Sequence, residues 1–517
     1  MGVVTWYLIL FSISLAFLLL RAKAKTKKQK KRLPPGPPAL PLIGNPLWLK
    51  KSYNSLESDL RRLWAEHGPI VMVHMGPQRS IFISDRRLAH EALIQKGAVF
   101  ADRISMPSKQ HNILGARYGP LWRLLRRNLI SEVLTPSRVK TYTHGRNWVL
   151  KILVQKLESE SVRSDDGAVT VLESFRYAMF SLLLLMCFGE KLDEEQIRQI
   201  GDTQKKLLVN LDRYSLLSII PTIAKIFCRR EWNDMVETKQ RQAELLVPLI
   251  RIRREKQGKK IVNEDDPNFV FSYVDSLIDL RLPDEGDRKL TDAEIVSLCS
   301  EFLDGGTDTT STALQWIMAN LVKFPKTQQK LVEEIDSVLS AERKLEGKEE
   351  RGFNNIISED DLQKMKYLKA VVMETLRRHP PAHFVLPHAV TEEADLGGYT
   401  IPTDAMINFL VVPMGLDEEM WEDPMEFRPE RFLDRDEELD LTGSREIKIM
   451  PFGAGRRICP GLGLAMLHLQ YYVANLVREF EWKVRDGEEV DLSEEWDFTT
   501  VMKNPLRVVL CPRSRTK

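Results

Sequence analysis

Hydrophobic and polar positions change pattern three times along the chain. Val3 to Leu20 is an almost unbroken apolar run, interrupted only by Thr5, Ser12 and Ser14, and just long enough to cross a bilayer as one helix. Arg21, Lys23, Lys25, Lys27, Lys28, Lys30, Lys31 and Arg32 follow it. No charged stretch precedes the run and no clear small-residue cleavage site ends it, so it reads as an uncleaved anchor rather than a signal peptide. Its basic flank is expected to stay cytosolic and to keep the rest of the chain on that side. Pro34-Pro35-Gly36-Pro37-Pro38 comes next, and prolines with fixed φ and no donor predict a stiff extended spacer, a flexible linker being the alternative. Further on, Ile70 to Met75 and Ser80 to Ser84 flank Gly76-Pro77 as a small β-hairpin, and long stretches with helical periodicity follow. Glu158 to Gly167 and Ser340 to Arg351 are charged or turn-rich and read as surface loops, and no repeat of fixed period is present. The expected organisation is an anchor with its basic flank (1–32), a Pro-rich hinge (33–46) and a mainly helical body (47–517).

Composition narrows this little. A chain of 517 residues permits several domains or one large body, and 43% hydrophobic with 29% charged residues is ordinary for a folded protein. The 75 Lys and Arg nearly balance the 73 Asp and Glu, which gives no argument for a nucleic-acid partner. Cys187, Cys228, Cys299, Cys459 and Cys511 are odd in number and far apart, with no pair at zinc-site spacing. A disulfide framework is therefore not expected, and a reduced, cytosol-facing body is.

The densest chemical signal is Phe452-Gly453-Ala454-Gly455-Arg456-Arg457-Ile458-Cys459-Pro460-Gly461, followed by a helical pattern from Leu462 to about Val477. Gly455 and Gly461 allow backbone to approach a flat cofactor where a Cβ would clash. Pro460 suits the start of a helix, which puts Cys459 just before a helix N-terminus, where the positive end of the dipole favours the thiolate that binds metal. Arg457 is placed to pair with a carboxylate of the cofactor. Two other readings compete, a structural cysteine in a tight turn and a dinucleotide loop. The second lacks its third glycine, Ile458 standing there.

Thr291-Asp292-Ala293-Glu294 reads as a capping box opening a helix that runs to Phe324, stopped by Pro325, and roughly 50 Å long. Gly305-Gly306-Thr307-Asp308-Thr309-Thr310 stands in its middle, and adjacent glycines there cost about 1 kcal/mol each against alanine. They admit a kink, and the Thr309 hydroxyl can reach the Gly305 carbonyl one turn back and open a groove for a small molecule or water; a packing glycine beside a solvated Asp is the plainer alternative. Glu374 and Arg377 share one helical face before His379-Pro380-Pro381, and Trp122 and Arg126 share another.

These motifs together resemble the cytochrome P450 superfamily. Phe-x-x-Gly-x-Arg-x-Cys-x-Gly is similar to its heme-binding signature, Gly305 to Thr310 to its oxygen-activating segment with glycine where alanine is common, Glu374-x-x-Arg377 to its Glu-x-x-Arg, and Pro429-Glu430-Arg431-Phe432 to the later partner motif. Ala101-Asp102-Arg103, Tyr118-Gly119 and Glu301-Phe302-Leu303 resemble the plant microsomal A-type branch, its family 89 in particular. The resemblance implies a helix-rich heme domain with small β-sheets behind one transmembrane helix, with heme b (iron protoporphyrin IX) held by the proximal thiolate of Cys459. It implies that Trp122, Arg126, Gly305, Gly306, His388, Phe452, Gly455, Arg457 and Gly461 contact that cofactor, Arg126 and His388 through the propionates. Asp308 and Thr309 would deliver protons during oxygen activation. Glu374, Arg377 and Arg431 would form a buried structural network, and Phe302, Leu303, Phe384, Val385 and Thr500 would line the substrate pocket. The implied activity is monooxygenation of a small, lipophilic substrate by O2, with electrons from NADPH through a separate cytochrome reductase, at the endoplasmic reticulum membrane, the catalytic body facing the cytosol. Two rivals remain: an isomerase or dehydratase acting on a pre-oxidised substrate without reductase, and a membrane-tethered heme electron carrier.

Overall fold

The computed structural model describes residues 32–40, 44–45, 53–76, 78–104, 111–211, 213–214, 217, 221–258, 270–346, 356–433 and 439–513. The apolar run from Val3 to Leu20 and most of the hinge lie outside them. Among the described residues no helix is long and apolar enough to cross a membrane.

The elements that matter for the site are, in chain order, α1 (Tyr53–His67), β1 (Ile70–Met75), β2 (Gln78–Ile83), α2 (Pro120–Glu132), α3 (Thr143–Arg163), β3 (Ala168–Thr170), α4 (Leu172–Phe188), α5 (Glu194–Val209), α6 (Arg229–Gly258), α7 (Asp292–Lys323), α8 (Pro325–Glu346), α9 (Lys366–Arg378), β4 (Ala405–Phe409), α10 (Leu462–Glu479), β5 (Phe480–Lys483), β6 (Glu494–Asp497), β7 (Thr499–Met502) and β8 (Arg507–Pro512). The expected hairpin forms, with Ile70 opposite Ile83 and Met75 opposite Gln78, and β4 adds to it in parallel. Two further sheets, β3-β8-β5 and β6-β7, are antiparallel.

Helix α7 is the axis of the molecule. Thr291 caps it through the Glu294 amide, the Glu294 side chain returns the bond, and the helix runs 32 residues to Lys323 without a break at its glycines. Its C-terminal half, Thr310 to Val322, is wholly buried. Helix α4, apolar on almost every face from Met179 to Phe188, packs along it, as a helix without a polar stripe must. The two approach closely because Gly306 has no Cβ: one built there would lie 2.8 Å from Leu183 Cδ1. A second, smaller core joins the β1-β2-β4 sheet to Leu93, Phe100, Ile447, Met450 and Ala454 next to the cysteine loop.

Two expected loops are partly helix. Glu158 to Arg163 continues α3, where Lys156 pairs with Glu160 one turn on and Glu160 accepts from Ser174 of α4. Ser340 to Glu346 continues α8. Glu and Lys are good helix formers, so polarity alone misread both stretches.

Candidate functional site

The cysteine loop is fixed mainly by its own backbone. The Cys459 amide donates to Phe452 O at 2.8 Å, closing Phe452 to Cys459 into a tight arch, and Gly453 and Gly455 supply φ values of 68° and 71°. A Cβ on Gly455 would fall 2.0 Å from Leu93 O. That carbonyl and the residue's own left-handed conformation already require a glycine there, whatever a flat cofactor adds. Gly461 does border the sulfur, since a Cβ there would lie 3.8 Å from Sγ. It caps α10, which leaves Pro460 outside the helix. Burial raises the Cys459 pKa, opposed by the Gly461 amide and the Arg126 charge. The helix start alone thus does not make a thiolate; a metal cation on the sulfur reverses the balance.

Three guanidiniums gather on one side of this loop. Arg126, on α2, donates to Ile458 O next to the cysteine. Arg457 donates to Ala101 O, Ile113 O and Ala116 O, and its guanidinium lies 4.8 Å from the Trp122 ring centroid. Arg103 donates to Leu114 O, Leu386 O and Pro387 O, the last at 2.7 Å. Burial and the Arg457 charge hold the Arg103 pKa down at about 9, and burial lowers Arg457 to about 10. Among the described residues no ion pair joins any of the three to a carboxylate, and the Trp122 indole N–H is buried without a partner. Half-buried guanidiniums without a direct carboxylate partner and an orphaned indole donor suit one ligand with two carboxylates and a thiolate-binding metal, which would satisfy both. The residues present fit a heme.

Arg103 stood out in the sequence only as part of Ala101-Asp102-Arg103, with no cofactor contact assigned to it. His388, which was, fits less well. Its Nδ1 lies 2.6 Å from Phe100 O, and burial lowers its pKa to about 3. A neutral ring donating from Nδ1 offers only an acceptor at Nε2, where a propionate needs a donor.

In mid-helix, α7 presents Gly305, exposed and with open space where a Cβ would stand. Thr309 Oγ1 donates to Gly305 O at 2.8 Å, as its spacing predicts. Asp308 turns elsewhere: its Oδ1 is 2.9 Å from Arg176 Nε of α4, without hydrogen-bond alignment, and Arg176 also bonds Glu173. Burial raises the Asp308 pKa, Arg176 lowering it in part, so the acid keeps a proton more readily than an exposed carboxyl. Glu301, one turn before Gly305, accepts from the Ile113 amide at 2.8 Å and from the Leu114 amide, and burial raises its pKa to about 7.

The remaining candidates separate. Arg377 grips Glu374 at 2.7 and 2.8 Å, and Arg431 Nε reaches Glu374 at 3.1 Å, all three buried; Arg377 also binds Gly415 O and Pro424 O, tying α9 to the segment before the cysteine loop. Val385 stands next to the loop, 3.6 Å from where a Gly453 Cβ would lie. Phe384 turns away, edge-on to Phe82 of β2. Leu303, two residues and so about 200° round the helix from Gly305, is fully buried in the main core, and Gly306 faces Leu183. Phe302 rests partly buried against Tyr273. Thr500 is buried in β7, its hydroxyl unpartnered.

Comparison with known proteins bears on all of this. The family profile described as Cytochrome P450 matches residues 34–512. Cytochrome P450 89A9 of Arabidopsis thaliana is 48% identical over 94% of this chain and 94% of its own length. Phenylacetaldehyde oxime monooxygenase of Prunus mume is 29% identical over 97% of this chain and 94% of its own. Among solved structures, a zebra fish cytochrome P450 with abiraterone superposes with a TM-score of 0.67, at 21% identity, over 89% of this chain and 100% of that one.

Proposed function

The chain belongs to the cytochrome P450 family and is a P450 monooxygenase, and from that premise we propose that it inserts one atom of O2 into a small, lipophilic substrate with electrons passed from NADPH by a separate reductase. The observation that carries the reading is the convergence of Arg103, Arg126 and Arg457 and the orphaned Trp122 N–H around half-buried Cys459. In it Cys459 is the metal ligand, and the three guanidiniums and the indole N–H hold two propionates by charge-assisted bonds. The heme bound there supplies oxygen activation and electron storage, chemistry no side chain provides.

The rest falls to the chain's own groups. Gly305 leaves room over the site, and Thr309, its hydroxyl already donating to Gly305 O, keeps oxygen lone pairs free to accept from water in that space. Asp308 carries the proton, taken from solvent on the Arg176 and Asp497 side and released toward Thr309 when the carboxyl leaves Arg176. Phe302, Val385 and Thr500 bound the substrate; Phe384 and Leu303 support them from behind. Residues 1–32 anchor the chain in the endoplasmic reticulum membrane through one span, 33–46 form the hinge and 47–517 the cytosolic catalytic domain, which the apolar run and its basic flank support. The test is turnover of a lipophilic substrate library by the full chain with reductase and NADPH under 18O2. One labelled oxygen per product, lost when reductase is omitted, is expected; product formed without reductase, or labelled only from water, overturns the reading in favour of an isomerase or dehydratase.

A further inference from the structure

Four side chains from three parts of the chain form a row of alternating carboxylates and imidazoles. Glu57 of α1 lies 2.8 Å from His383 Nδ1, His383 Nε2 lies 3.1 Å from Glu494 Oε2 of β6, at ion-pair distance without hydrogen-bond alignment, and Glu494 Oε1 lies 2.9 Å from His379 Nδ1. The His379 ring stacks flat on Trp316 of α7, centroids 4.1 Å apart and planes 1° apart. Trp316 Nε1 in turn donates to Thr500 O at 2.8 Å. The Thr500 amide donates to Pro381 O at 2.8 Å, Thr499 and Thr312 share a hydroxyl bond of 3.0 Å, and the Val411 amide donates to His383 O. The cluster therefore ties together α7, residues 381–385, which lead to Val385 beside the cysteine loop, and β7.

We propose that His383, clamped between Glu57 and Glu494, is a positioning residue that sets the width of the substrate pocket by holding residues 381–385 against β7. The inference rests on the reading of Val385 and Thr500 as pocket walls. Two carboxylates beside one imidazole favour its charged form, and the structural consequence is that a cation adds to the backbone bonds from Val385 N to Phe409 O, Val411 N to His383 O and Thr500 N to Pro381 O that hold residues 381–385. The charged groups around His383 are Glu57, with Arg61 behind it on α1, Glu494 on β6, and His379 and Arg378 at the end of α9. Against burial, the two carboxylates raise the His383 pKa to about 9, and the Glu494 pKa falls to about 2. The clamp is thus complete below the ordinary histidine pKa of about 6.5 and is lost as pH rises through about 9. On the acid side it holds above about 4.5 and fails only as pH falls toward 2.

The test uses the full-length, heme-loaded protein and two nitrogen ligands read by the Soret shift. Imidazole is too small to sense the wall; 4-phenylimidazole is not. Between pH 7.5 and 10 the affinity for 4-phenylimidazole is expected to fall about fivefold while that for imidazole changes less than about twofold. His383→Gln is expected to show the weaker phenylimidazole affinity already at pH 7.5, with a flat profile, and His383→Lys, which restores a cation, to recover part of it. Should the glutamine variant not fold, Glu494→Gln carries the same expectation. A wild-type affinity ratio independent of pH, or the wild-type pH trend persisting in His383→Gln, overturns the inference while leaving the heme reading intact. A wild type whose Soret band responds to neither ligand overturns the heme reading and the inference with it.

Discussion

The cysteine loop and the pocket wall opposite it are held by different kinds of contact. Around Cys459 the arch from Phe452 to Cys459 closes on its own backbone, and its glycines are dictated by φ and by one neighbouring carbonyl. The opposite side has almost no such local logic: His379 meets Glu494 across 115 residues, His383 meets Glu57 across 326, and Glu301 meets the Ile113 amide across 188. One side is a rigid template that a short motif encodes. The other is an assembly whose geometry depends on side-chain charge, and in the proposed reading it is the side that faces substrate. A rigid template suits a cofactor that never changes; an assembly of separate segments can be retuned one residue at a time.

The contrast can be broken most severely at Gly455. Alanine there meets Leu93 O and a disfavoured φ together, so Gly455→Ala is expected to cost more than about 3 kcal/mol and to yield no heme-loaded protein, read by absorbance per mole of purified chain. Recovery of normal heme content would show the loop to be more pliable than its geometry says. Next in size, Asp308→Asn keeps the shape of the side chain and removes its proton chemistry. Turnover is expected to fall about a hundredfold with the ligand-binding spectra unchanged; an unaltered rate would take Asp308 out of proton delivery. Smallest is Gly305→Ala on the distal face. With open space at that position, thermal or urea unfolding is expected to show a gain of about 1 kcal/mol, and a loss would mean the helix needs a kink there after all.

The same contrast explains what could be read from the chain beforehand. The capping box at Thr291, the hairpin around Gly76 and the Glu374–Arg377 pair depend on residues a few positions apart, and each forms as its spacing predicts. The loop around Cys459 was legible for the same reason. Arg176 and His383 left no signal, and Arg103 and Glu301 stood out only as parts of resembling segments, because each acquires its setting from partners more than ten residues away, up to 326. Where neighbouring candidates end up on different sides, alternation is the cause. Phe384 and Val385 are neighbours in an extended segment and so face opposite sides, and Leu303 shares a helix with Gly305 but not a face.

The central claim is that the buried sulfur of Cys459 holds a heme iron beneath the three arginines. It is tested most directly by the absorbance spectrum of the reduced, CO-bound protein, wild type against Cys459→Ala. A thiolate-type Soret band present in the wild type and absent from the variant is the predicted result; the same band surviving in Cys459→Ala, or no such band in a wild type that carries heme, would contradict the account.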